Sequence, residues 1–395
     1  MTSGAQGTGL PARLARSRPV EPFRAMDIMA KANRRIAAGE DVALLCVGQP
    51  DAPAPSRARA AAAAMLREGR IGYTDATGRA DLREAIALDY ERRHGIVVDP
   101  ARIVVTTGSS AGFSLAFLAM LEPGERIGIA WPGYPAYRNI ARALDLRPVE
   151  LRTTAQERHA ITPRLVAEAH EEEPLAAVLV ASPANPTGTM MDADALRALR
   201  DACAERGIAL ISDEIYHGLS LPGAPEETTM LAIDDAAVVI NSFSKYYCMT
   251  GWRVGWMVVP ESLVRAVERV AQNLYISAPD ASQIGATHAF DGTGELEAVR
   301  RGYAENRSLL LRSLPELGFR LAARSDGAFY AWCDVSGLTN DAMAFSRRML
   351  NEAGVAAPPG HDFDPIDGVR TMRFSYAGSH ENVTRAVERL RRWLG

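Results

Sequence analysis

The sequence predicts an α/β fold: a mostly parallel sheet between helices, with a smaller α+β domain attached. Three observations predict it. Runs that are apolar throughout recur from Arg102 onward, at residues 103–106, 127–130, 176–181, 208–212 and 238–241. Helical stretches separate them, as parallel strands buried on both faces require. After Phe319 the pattern changes to short mixed strands and helices. The chain has 395 residues, enough for one large domain and a smaller one.

In order, residues 23–38 read as a helix ended by Gly39, and 41–48 as a strand running into the turn Gly48-Gln49-Pro50-Asp51. An Ala-rich helix covers 56–68, the loop 72–78 follows, and a helix spans 80–94. Between the apolar strands lie helices at 109–120 and 193–205, the second with Asp192 as its cap. Residues 254–259 form a further strand closed by Pro260, and a long helix covers 295–314. The last part holds strands at 327–334 and 371–376 and helices at 341–353 and 380–394. The domains expected are a flexible N-terminal arm (1–20), a segment joining the small domain (21–50), a large domain (51–290) and a small C-terminal domain (291–395).

The chain is 47% hydrophobic and 23% charged, with a net charge of −4, which gives no reason to expect nucleic acid or an anionic membrane as partner. No apolar run is long enough to span a bilayer. Cys46, Cys203, Cys248 and Cys333 are far apart, which suits a reducing compartment and not a disulfide scaffold or zinc site. The Arg-rich first twenty residues lack the apolar core of a secretory signal, so a cytoplasmic location is expected.

Of 44 Lys plus Arg, only Lys31 and Lys245 are lysine, leaving 42 arginines. Arginine cannot lose its proton and act as an amine nucleophile. A lysine kept in Ser242-Phe243-Ser244-Lys245, just after an apolar run, is therefore a candidate Schiff-base lysine. An ordinary surface lysine is the plainer alternative.

Other motifs follow strands in the same way, where ligands bind in a parallel sheet. Thr107-Gly108-Ser109-Ser110-Ala111-Gly112 opens a helix, and free N–H groups there suit a phosphate. It also fits the nucleophile elbow of a serine hydrolase built on Ser110, with His361 or His380 as its histidine and His94-Gly95 near an oxyanion loop. Asn185, in Ser182-Pro183-Ala184-Asn185-Pro186-Thr187-Gly188, aims an amide from the rim, or makes a simple Asx turn. Asp213 ends a strand, where a carboxylate suits a protonated pyridine nitrogen, and Tyr216 can reach the same ligand. Asp213, Glu214 and His217 match no metal-ligand spacing. Ser242, Ser244 and Arg253 add phosphate donors. A reactive lysine, an acid and two phosphate-binding loops are the set that pyridoxal phosphate needs. Arg373, inside the apolar strand Met372-Arg373-Phe374-Ser375-Tyr376, needs an anion: a substrate carboxylate or an internal salt bridge.

Ser242-Phe243-Ser244-Lys245 through Gly251-Trp252-Arg253, with Asn185-Pro186-Thr187-Gly188 and Asp213-Glu214-Ile215-Tyr216, resembles the class I/II pyridoxal-phosphate-dependent aminotransferases of fold type I. Tyr73-Thr74-Asp75 and Gly327-Ala328-Phe329-Tyr330 extend the likeness, which runs from about residue 20 to the C-terminus. The resemblance implies a seven-stranded sheet in the large, cofactor-binding domain, and a reaction that moves an amino group between an L-amino acid and a 2-oxo acid. It implies that Lys245 holds the cofactor as an internal aldimine and then shuttles a proton. Asp213 would pair with the pyridine nitrogen, Asn185 and Tyr216 with the ring oxygen, and Tyr134 would stack on the ring. The backbone at Ser109, Ser110 and Ala111, with Ser242, Ser244 and Arg253, would hold the phosphate. Tyr73 would reach the phosphate of a second subunit in a homodimer. Arg373, helped by the backbone at Gly48, would take the substrate carboxylate. A β-elimination lyase or synthase of the same fold needs the same lysine and ring partners, and a cofactor-binding regulator is a further, weaker reading.

Overall fold

The computed structural model describes residues 17–46 and 48–395; most of the expected N-terminal arm lies outside them. Helix α1 (Arg24–Ala37) is followed by strand β1 (Ala43–Leu44), then by α2 (Ser56–Glu68) and α3 (Ala80–His94). Next come β2 (Ile103–Thr106), α4 (Ser109–Met120), β3 (Arg126–Trp131), α5 (Pro135–Ala143), β4 (Arg147–Arg152) and α6 (Pro163–Glu172). They continue as β5 (Ala177–Ala181), α7 (Ala193–Ala204), β6 (Ala209–Asp213), β7 (Val238–Ser242) and β8 (Gly255–Val258). Helices α8 (Glu261–Leu274), α9 (Asp280–Thr287) and α10 (Thr293–Glu316) lead to β9 (Arg320–Leu321) and β10 (Tyr330–Asp334). The chain closes with α11 (Ala342–Arg348), β11 (Val355–Ala356), β12 (Thr371–Ser375) and α12 (His380–Leu394).

Seven strands form the main sheet in the order β2-β8-β7-β6-β5-β3-β4, so the expected mostly parallel α/β sheet is present. Only β8 runs antiparallel to its neighbours. Along β2 the side chains alternate between two cores. Ile103 and Val105 face one and Val104 the other, so both faces are dry and the strand reads as apolar throughout. A three-stranded antiparallel sheet, β12-β10-β9, and the parallel pair β1-β11 lie outside it.

Three differences from the sequence reading have physical causes. The strand expected at 41–48 pairs as a ladder only at Ala43–Leu44. Beyond it Leu45 is shared: its N–H donates to Ala356 O and its carbonyl accepts from Ser375 N–H, both at 2.8 Å. Strand β4 is absent from the sequence reading, because it is an edge strand of sequence RPVELR with only Leu151 buried. Helices α5, α6, α8 and α9 are absent from the sequence reading, although α5 and α8 are strongly amphipathic; α6 and α8 bury only two residues each.

Asp192 caps α7 as expected, accepting from Ala195 N–H at 2.9 Å. Lys31, on α1, donates to Asn351 Oδ1 at 2.8 Å. Among the described residues no helix is long and apolar enough to cross a membrane.

Phe243, two residues before Lys245, is fully buried and packs its ring 4.9 Å from Tyr247, 4.9 Å from Trp256 and 5.4 Å from Phe290. Phe243→Ala is expected to cost about 3–5 kcal/mol, read as a lower urea midpoint. A loss of under about 1 kcal/mol would show that this cluster does not anchor the lysine loop.

Candidate active site

The carboxyl ends of β2, β3, β5, β6 and β7 share one rim, and the reversal of β8 brings its amino end there too. Lys245, Asp213, Asn185, Tyr134 and Ser109 therefore meet Arg253, which directly precedes β8. They line a cavity of about 440 Å³ together with Ser110, Tyr216, Ser244, Gly48 and Arg373.

At its floor the Lys245 Nζ donates to Gly48 O at 2.5 Å and sits 5.9 Å from the ring centres of both Tyr216 and Phe329. Burial, and after it the positive charge of Arg373, lower its pKa from 10.5 to about 8; Asp213 opposes this. The ammonium is thus poised to give up its proton, as a nucleophilic amine must.

Asp213 is 2% exposed. Its carboxylate accepts a short hydrogen bond from Tyr137 Oη and one from Ile215 N–H at 3.0 Å. Burial pushes its pKa up to about 6, against the pull of those donors. A cationic partner would restore the ionised form. Glu214 faces away, bound by Ser212, Thr229 and the Met230 N–H, so Asp213 and Glu214 do not share a ligand site.

Asn185 Oδ1 accepts from Arg373 Nη1 at 2.8 Å, which leaves the amide nitrogen as the free donor toward the cavity. The loop is entered through cis peptides at Ser182–Pro183 and Asn185–Pro186. Tyr216 Oη pairs with Tyr330 Oη at 2.9 Å. Tyr134 meets Tyr137 edge-on at 5.3 Å, and burial raises its hydroxyl to about 12.

The turn into α4 is built to receive an anion. Gly108 has φ +79° and takes the cap position without a side-chain cap, so the N–H groups of Ser109 and Ser110 lack intrahelical acceptors. A Cβ at Gly108 would collide with the Arg253 guanidinium, so the glycine lets the arginine lie against the turn. Arg253 Nη1 donates to Thr250 O at 2.9 Å. Ser109 and Ser110 line the cavity, whereas Ala111 and Ser242 do not. Ala111 N–H reaches Gly108 O at 3.2 Å. Ser242 Oγ is engaged with Ser244 Oγ at 2.9 Å and Val254 O at 3.1 Å, which fixes Ser244. Tyr73 is 83% exposed and outside the cavity.

Arg373 is 5% exposed, and among the described residues no carboxylate lies within ion-pair distance of it. Its guanidinium carbon lies 4.2 Å from the Tyr330 ring centre and 4.6 Å from that of Phe363, between the two faces. It donates to Asn185 and to Cys46 O at 3.2 Å, and its Nε has no partner. The internal salt bridge considered from sequence is not made, and the group is left for an incoming anion. A Cβ at Gly48 would sit 2.8 Å from Tyr330 Oη and crowd this place.

Sequence reasoning missed Tyr137, Phe363 and the α1 residues Met26 and Met29, all of which line the cavity. Tyr137 was findable, because it stands three residues after Tyr134 on one helix face. The serine hydrolase reading fails on geometry. No histidine lines the cavity among the described residues; His380 is bonded to Asn306 Oδ1 and His94 stacks against His217.

An amine, a buried acid, an aromatic ring at Tyr134, an anion turn and a second cation 5% exposed, all on one cavity, fit pyridoxal phosphate and an amino acid. Lys245 should react with an aldehyde, trapped by borohydride, with a rate that rises through a midpoint near pH 8. A midpoint near 10.5, the ordinary lysine value, would overturn the assigned burial and charge environment.

Residues 40–390 match the family model for aminotransferase class I and II. The chain is 46% identical to the valine–pyruvate aminotransferase of Mycobacterium tuberculosis, over 97% of this chain and 98% of that one. It is 32% identical to the aspartate/prephenate aminotransferase of Thermus thermophilus, over 96% and 98% of the two chains. Among solved structures, an aminotransferase from Mycobacterium tuberculosis superposes with a TM-score of 0.94 at 46% identity, covering 98% of this chain and 99% of that one. The aspartate aminotransferase of Thermus thermophilus with maleate gives 0.90 at 31% identity, covering 97% and 100%. The chain belongs to the class I and II aminotransferases, pyridoxal-phosphate-dependent enzymes of fold type I.

Proposed function

We propose that this aminotransferase takes neutral L-amino acids with aliphatic side chains as donors and a small 2-oxo acid such as pyruvate as acceptor. The observation that carries it is the pairing of Arg373 with an apolar lining in one cavity. Arg373 is a buried, uncompensated cation placed to bind an α-carboxylate bidentately. The same cavity is lined by the apolar side chains of Phe23, Met26, Met29 and Ile215. The similarity to a valine–pyruvate aminotransferase supports the same class.

Bound pyridoxal phosphate supplies the electron sink that acidifies the donor's Cα. The chain's residues do the rest. Asp213, ionised, would hold the protonated ring nitrogen, Asn185 and Tyr216 would hold the ring oxygen, and Tyr134 would cover the ring. Ser109, Ser110, Ser244 and Arg253 would hold the phosphate, with Ser242 fixing Ser244. Lys245 Nζ takes the Cα proton and returns it, a role suited to an amine whose pKa lies near 8. Arg373 and the Gly48 backbone orient the carboxylate.

We further read the chain as a cytoplasmic homodimer in which Tyr73 reaches the partner's phosphate site. Tyr73 is exposed, yet its loop is held: Thr74 N–H donates to Ser277 Oγ at 3.3 Å and Gln283 Nε2 to Thr74 Oγ1 at 2.9 Å. Ile71, Tyr275 and Ile276 stand exposed on the two bonded segments, an apolar surface suited to a second copy. The division into 21–50, 51–290 and 291–395 is supported by the sheets. Strands β2 to β8 fall in the middle part, and β9, β10 and β12 in the last.

A donor screen read as the visible-band change of the holoenzyme tests the substrate class. Valine, leucine and alanine should bleach the band; a preference for aspartate would overturn it. Lys245→Ala should abolish turnover and borohydride trapping. Arg373→Gln should raise KM at least about tenfold, since one charged bond is worth roughly 1.5–3 kcal/mol. Unchanged KM would remove Arg373 from the carboxylate site.

A further inference from the structure

Helix α1 begins without a cap of its own: Phe23 precedes it and offers no side-chain acceptor. The first-turn N–H groups of a helix need acceptors from elsewhere. Here one distant carboxylate serves two of them. Arg24 N–H and Ala25 N–H donate to Asp362 Oδ1 and Oδ2 at 3.0 and 2.6 Å, across 338 and 337 residues of chain. Asp362 is 1% exposed. A carboxylate at the positive end of a helix is favoured by both hydrogen bonding and charge.

The same short stretch does two jobs. Phe363, the next residue, lies over the Arg373 guanidinium. Arg138 Nη2 donates to Asp362 O at 2.7 Å, and Gly133 N–H to Phe363 O at 3.0 Å. Just before α1, Glu21 exchanges bonds with Asn139 at 3.3 and 3.0 Å and pairs with Arg142 at 3.0 Å. The start of α1 is thus fastened to the 360–364 loop on one side and to α5 on the other. The residues so fastened, Phe23, Met26 and Met29, give the cavity an apolar wall of its own.

We propose that Asp362 is a positioning residue that caps α1 from this distant loop and so sets the side-chain end of the substrate site, with Phe23, Met26 and Met29 selecting the donor. This rests on the reading of neutral aliphatic donors. Methionine thioethers adapt to branched or linear chains, so the wall suits several aliphatic donors and not one shape. A donor as short as alanine gains little from that wall. A longer one such as leucine depends on it.

The test is the half-reaction of the holoenzyme with leucine and with alanine, followed by the visible cofactor band in single turnovers, for wild type, Asp362→Ala and Asp362→Asn. In Asp362→Ala the leucine-to-alanine affinity ratio should fall about tenfold, the loss expected of one helix cap. The maximal rate with leucine and the resting spectrum should stay near wild type, and Asp362→Asn, which keeps one acceptor, should lie between. An unchanged ratio, or an equal loss for both donors, would overturn the proposal. Should Asp362→Ala fail to fold, Met29→Ala carries the test: a fall in the same ratio supports the wall, and an unchanged ratio sinks it. If wild type takes aspartate in place of leucine, the substrate reading itself has failed; if it takes leucine and Asp362→Ala discriminates as before, only the cap has.

Discussion

A guanidinium held out of water between two aromatic rings, with no carboxylate among the described residues to answer it, is the constraint on which the rest of this site depends. Burying such a charge is costly unless an anion arrives. The fold spends much of its local architecture on keeping Arg373 tolerable until then. Asn185 and the Cys46 carbonyl take two of its N–H groups, and Tyr330 and Phe363 take its faces. Its field is also felt by Lys245, where it adds to burial in favouring the neutral amine. The carboxylate that binds Arg373 would relieve part of that pressure. Substrate binding and lysine basicity are therefore linked through one charge.

The second organising feature is the reversed strand β8. In a wholly parallel sheet Arg253 would stand at the far edge from the lysine. Antiparallel pairing on both sides puts the start of β8 beside the ends of β2 and β7. That places Arg253 against the α4 turn, and Gly108 gives it room. Two stretches separated by more than 130 residues thus make one anion site.

How much was legible in the sequence follows from the same geometry. Asp213, Asn185 and Lys245 each follow an apolar run directly, so a parallel sheet alone puts them on one rim. The two-faced burial of strands such as β2 made the sheet readable for the same reason. Phe363 and Met29 were not legible, because they reach the cavity from a loop and a remote N-terminal segment. Nothing in their local pattern distinguishes them from packing residues. Strand β4 carries little signal because an edge strand has little to bury, and the strand read at 41–48 pairs over only two residues because the segment is shared between two partners. The sequence around Arg373 calls for an anion, and the fold decides where it comes from: no carboxylate among the described residues answers it.

The scarcity of lysine has a practical side. Lys31 is tethered to Asn351 on the outer side of α1, and Lys245 lies at the cavity floor. Apart from the chain's amino terminus, the molecule offers reagents that seek amines two addresses, one inside and one outside. An excess of aldehyde cofactor, which on a lysine-rich protein would scatter over the surface, has almost nowhere else to go. Reductive labelling of this chain is thereby close to a single-site titration, and loss of the outer lysine would make it one.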